Sequence, residues 1–156
     1  MSRAETAASD SRHRMAMLRA VVAEIGWSAL SEEQDNNIFV DLNTEDVPVA
    51  YAHAAISDEL EQFVFYLVLD LVPSVDRRDE CALVITRINH DILVGGFDLN
   101  FDTGQVCFKN GVSFHNSSLQ QQQIRNVILG SMYAVELYAN AIAAAGQRPV
   151  ESRHAQ

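Results

Sequence analysis

The sequence predicts an α+β domain in the order helix, three strands, helix, two strands, helix, with an antiparallel five-stranded sheet and the helices packed on one face. Three observations lead there. Apolar residues recur at helical spacing in three separate stretches, they alternate with polar residues in the stretches between, and the connections are short enough to favour antiparallel neighbours. With 156 residues, 48% of them apolar and 21% charged, the chain has the size and composition of one domain that buries its own core.

Met1 to Asp10, rich in Ser, Ala and charge, reads as a flexible tail, with the domain expected over residues 11–146. Met15, Leu18, Val22 and Ile25 then mark a helix from Ser11, which Gly26 ends. Ile38, Val40 and Leu42 alternate with Phe39, Asp41 and Asn43 as a half-buried strand. A polar connection through Thr44, Glu45 and Asp46 leads to a second strand, Val49 to Ile56. Its two faces are Val49, Tyr51 and His53 against Ala50, Ala52, Ala54 and Ile56. The unbroken run Phe63 to Leu69 must be a central strand covered on both faces. Burying such side chains is worth about 1.5–3 kcal/mol each, so the run as a whole matches the net stability of a domain, about 5–15 kcal/mol.

After Pro73 a second helix runs from Val75 to Asn89, with Asp76, Asp79 and Glu80 at its positive end and Cys81, Val84, Ile85 and Ile88 as its apolar stripe. Phe97, Leu99 and Phe101 form one arm of a hairpin, Asp102-Thr103-Gly104 its turn, and Val106 and Phe108 the other arm. The last helix starts near Ser117 or Ser118, where Ser118 and Gln121 fit a capping box, and ends at Ala145. Residues 147–156 read as a second flexible tail.

This order of elements, with Arg87-Ile88-Asn89 ahead of Gly96-Phe97-Asp98-Leu99-Asn100-Phe101-Asp102-Thr103-Gly104-Gln105-Val106, resembles the YbjN family of bacterial sensory transduction regulators. That resemblance implies a type III secretion chaperone-like fold and a cytoplasmic, non-enzymatic role, in a fold used for dimers that hold extended segments of partner proteins. Lys109-Asn110-Gly111 stands where the family has an Arg, and no site residue is carried over.

The formal charge, 11 − 21 = −10, repels phosphate backbones and anionic lipid, which disfavours nucleic acid and membrane surfaces as partners. No uninterrupted apolar run reaches the roughly 18 residues that cross a bilayer. Two cysteines without metal or redox spacing suit a reducing cytoplasm. The five histidines lie at no metal-ligand spacing, so neither metal nor cofactor is expected. Asp102-Thr103-Gly104 copies an aspartic-protease tripeptide, but between two short alternating arms those residues serve a turn.

What remains is a surface. With the helices on one sheet face, the other displays Phe39, Tyr51, His53, Val64, Tyr66, Val68, Asp98 and Asn100 as candidate interface residues. The expected function is therefore a non-enzymatic module with no catalytic residues, homodimeric, binding an unidentified protein through the open sheet face and edge. The alternative is a small-molecule sensor or cryptic enzyme with a pocket between helices and sheet, for which Asp98, His53 and Asn100 would have to converge.

Overall fold

The structure, a computed structural model, describes residues 1–33, 36–42, 45 and 47–147. Its elements are α1 Arg3–Ile25, β1 Ala29–Glu33, β2 Asn37–Asp41, β3 Val49–Ser57, β4 Gln62–Leu69, a 3-10 turn Val75–Arg77, α2 Arg78–Asp91, β5 Gly96–Leu99, β6 Val106–Ser113 and α3 Gln121–Gln147. The strands form one sheet in the order β1-β2-β3-β4-β6-β5, with every neighbour antiparallel. All five expected strands are present. β1 adds a sixth at one edge, where a backbone ladder to β2 makes a strand of a segment with little apolar alternation.

The run Phe63 to Leu69 does lie centrally, between β3 and β6. Phe63, Phe65 and Leu67 point under the helices and are at most 1% exposed. They meet Ile38 and Val40 of β2, Ala52 and Ala54 of β3, and Val106 and Phe108 of β6 in one core with Leu18 and Val21 of α1, Ile85 of α2 and Ile124, Ile128 and Val135 of α3. The small Ala52 and Ala54 leave room for the helices to approach the sheet closely. The helix layer is tied by Arg125, which donates to Glu24 Oε2 from Nη2 at 2.6 Å and from Nε at 3.1 Å, joining α3 to the end of α1. By length and hydropathy, a mean of 1.4 over an 18-residue window, α3 is also long and apolar enough to cross a membrane. Its buried residues, among them Ile124, Ile128 and Val135, pack into the core under the sheet, while Leu129, Tyr133 and Leu137 are exposed.

Four local expectations are corrected. Met1 to Asp10 is helical from Arg3: Ser2 Oγ accepts the Glu5 N–H while the Glu5 carboxylate accepts the Ser2 N–H, a capping box that starts α1 early. The Ala residues at 4, 7 and 8 then carry the helix by propensity, with no buried face. α3 starts at Gln121 rather than at Ser117 or Ser118, and the Gln120 N–H is taken at 2.8 Å by Gln123 Oε1. Val49 does not share a face with Tyr51 and His53, because a bulge at Ala50 turns it into the core, 7% exposed. Phe101 lies in the turn after β5 and is 52% exposed. Asn43 of the expected first strand, Thr44 and Asp46 of the expected polar connection, and residues 148–156 of the expected C-terminal tail lie outside the described residues.

Candidate interaction face

Because strand side chains alternate, packing one set under the helices leaves the other set on the opposite face. The register lines that second set up in rows. Phe39 pairs with His53, His53 with Tyr66 and Tyr66 with Lys109, so one row crosses four strands. The next row runs Asp41, Tyr51, Val68, Cys107, Asp98, and a third runs Asn37, Ala55, Val64, Gly111. Among the described residues the three helices pack on the other face.

In the first row the rings stack. Phe39 and His53 are 4.3 Å apart between centroids and 7° from parallel, and His53 and Tyr66 follow at 5.5 Å and 17°. Tyr51 leans on Phe39 at 6.5 Å and 49°. The His53 Nε2 lies 2.7 Å from Asn37 Oδ1, which holds the imidazole plane. A half-exposed aromatic platform fixed this way loses little side-chain entropy when a partner covers it. Its rim carries charge, with Asp41, Asp98 and Lys109 all exposed.

Seven of the eight residues expected on this face stand there, and Asn100 does not. β5 ends at Leu99, and Asn100 Oδ1 accepts the Asp102 N–H at 2.9 Å and the Thr103 N–H at 3.2 Å, so its side chain holds the hairpin turn. Val68 is on the face yet only 7% exposed, tucked between its row neighbours Tyr51 and Cys107, and offers a partner almost no surface. Asp98 and His53 lie in different rows on different strands, so the three polar groups of the alternative pocket do not converge. Asn37 and Ala55 belong to the face as well. Period-two spacing from Phe39 and His53 points to both, but neither a lone amide nor a methyl marks a site in sequence.

Cys107 sits in the second row, half-buried and reduced. Burial pushes its thiol above the usual range, the Asp98 carboxylate pushes the same way, and Lys109 only opposes them. The thiol is therefore neutral near pH 7 and a poor nucleophile. Among the described residues no group of three or more His, Cys, Asp or Glu side chains is placed to hold a metal ion.

The face runs out to an incomplete edge. β6 pairs with β4 from Cys107 to Ser113, but with β5 only from Val106 to Lys109. Beyond Lys109 its outer side is open, and a groove of about 520 Å³ lies there over Val64, Tyr66 and Gly111. The Gly111 N–H donates to Asn110 Oδ1 at 2.7 Å.

No protein-family model and no curated protein matches the chain. Among solved structures it is similar to YbjN of E. coli, described as a candidate transcription regulator, with a TM-score of 0.63 and 15% identity over 81% of this chain and 91% of that one. It is also similar to a chain of the ExsC–ExsE complex, with a TM-score of 0.60 and 14% identity over 86% of this chain and 97% of that one. At those identities the likeness is one of architecture: the chain has the YbjN-like, type III secretion chaperone-like α+β fold.

Proposed function

We propose that this chain is a non-enzymatic protein-binding module, a YbjN-like regulator or chaperone-like adaptor of the cytoplasm. It forms a homodimer and holds a protein partner through the open sheet face and the edge beside it. The observation that carries this reading is the Phe39–His53–Tyr66 stack on the face that no described helix covers. Val64 and Tyr66 on a central strand are only half-buried in the single chain, and a second surface over them completes the burial that so apolar a strand calls for. The open stretch of β6 suits the addition of an extended segment. The ExsC–ExsE structure is itself a complex of two proteins, which supports a binding role for this architecture.

Two phenylalanines, half-buried Phe39 and exposed Phe101, supply the test. Phe39→Ser removes one end of the stack, whereas Phe101→Ser removes a ring from the hairpin turn. In light scattering over a concentration series, Phe39→Ser is expected to weaken dimerisation by about tenfold or more. Phe101→Ser should leave it unchanged. Equal effects from the two substitutions, or a monomeric wild type, would remove the open face as the dimer surface.

A further inference from the structure

A second concave site lies on the opposite side of the sheet. α1 ends at Ile25, and Gly26 in the left-handed region (φ 89°) redirects the chain so that Trp27 packs back on the sheet. The indole stacks on Phe65 with centroids 6.2 Å apart and planes 14° from parallel. Beside it, Leu42 just after β2, Leu67 of β4, and Met132 and Val135 of α3 line a partly open space of about 160 Å³, and Glu136 stands at the rim. An apolar cavity of about 150 Å³ stays dry and takes up a benzene-sized molecule. This space therefore fits a single six-membered ring.

Glu136 decides what such a ring must carry. Among the described residues it is the one charged residue lining the site, and with them it makes no ion pair or hydrogen bond. A cation attached to the ring would meet this carboxylate at the mouth while the ring displaced nothing polar inside. An anion would face the same carboxylate in a chain of net charge −10.

We infer that the space between Trp27 and α3 binds a small hydrophobic amine, one compact apolar ring or its alkyl equivalent bearing a single ammonium. The site shares no residue with the open face and stands whether or not that face binds protein.

Trp27 is the only tryptophan, so its emission reports on the site directly. The intact chain is titrated with cyclohexylmethylamine and, separately, with cyclohexanecarboxylate, neither of which absorbs with the indole. The amine is expected to give a saturable change in Trp27 emission, with the carboxylate weaker by about tenfold or more. Glu136→Gln, an exposed change that leaves the fold alone, should reduce the amine to the level of a neutral ring. Met132→Phe, which fills the space, should abolish the response while circular dichroism stays that of the wild type. No saturable change in the wild type overturns the inference. So does a carboxylate that binds as well as the amine, or an amine response that survives in Glu136→Gln unaltered.

Discussion

Phe108→Ala is expected to cost about 3–5 kcal/mol of folding stability, a large part of the 5–15 kcal/mol or so that holds a domain of this size. Phe108 is fully buried, paired with Leu67 on one side and Phe97 on the other, and meets the Phe97 ring edge-on at 5.0 Å and 73°. Truncating it opens a ring-sized void at the point where β5 is fastened to the sheet. Repair by collapse is limited because Asn89 already pins Phe97 in place. Its Nδ2 donates to Phe97 O and its Oδ1 accepts the Phe97 N–H, each at 2.9 Å. Urea denaturation measures the loss, with Phe101→Ala as the companion expected to stay within about 0.5 kcal/mol of the wild type. A Phe108→Ala protein within about 1 kcal/mol of the wild type would contradict the packing of β5 on β6.

Tyr66→Glu is expected to reduce association through the sheet face by about a hundredfold or more while the chain stays folded. Tyr66 is half-buried at the centre of the face, 5.5 Å from His53 and cross-strand from Lys109. In the lone chain a glutamate there remains in contact with water and beside a cation, so stability should change by less than about 1 kcal/mol. In a complex the same carboxylate must be desolvated against a partner, at a cost of several kcal/mol, and the ring is lost as well. A light-scattering series together with a denaturation midpoint separates the two effects. Undiminished association of a folded Tyr66→Glu protein would rule out the face. Val68→Lys is not an equivalent test. At 7% exposure Val68 is part of the structure beneath the surface, and the substitution would damage the sheet itself.

Much of this architecture is written in alternation. Ile38-Phe39-Val40 and Phe63 to Leu69 divide correctly between the two faces, because a strand buried on one side repeats with period two. The failures have local causes. A single bulged residue, Ala50, reverses Val49, and nothing in Val-Ala-Tyr announces a bulge. The β5–β6 hairpin was legible from Asp102-Thr103-Gly104, but β5 stops at Leu99, which places Phe101 in solvent and turns Asn100 back onto the loop. The capping pair Ser2 and Glu5 was present in the sequence, yet without an apolar stripe the first turns of α1 gave no periodic signal. Strand order depends on long-range pairing. The crossover that carries the chain through α2 to the far edge, and back along β6 to β4, leaves no trace in local pattern. The Trp27 site was invisible for the same reason, since its walls come from segments as far apart as Trp27, Leu67 and Met132.

Cys107 gives the most direct measurement of the open face, because it lies in the row beside Val68 and Tyr51 and is half-buried in the single chain. Cys81, fully buried on α2 with its thiol pushed up by burial, serves as the internal control. Alkylation of each thiol is followed by mass spectrometry across a protein concentration series. If the face is the dimer surface, the Cys107 rate falls as the dimer forms, the Cys81 rate stays constant, and Tyr66→Glu loses the concentration dependence. A Cys107 rate that does not change while light scattering shows a dimer would place the contact elsewhere and contradict the open face as the interaction surface.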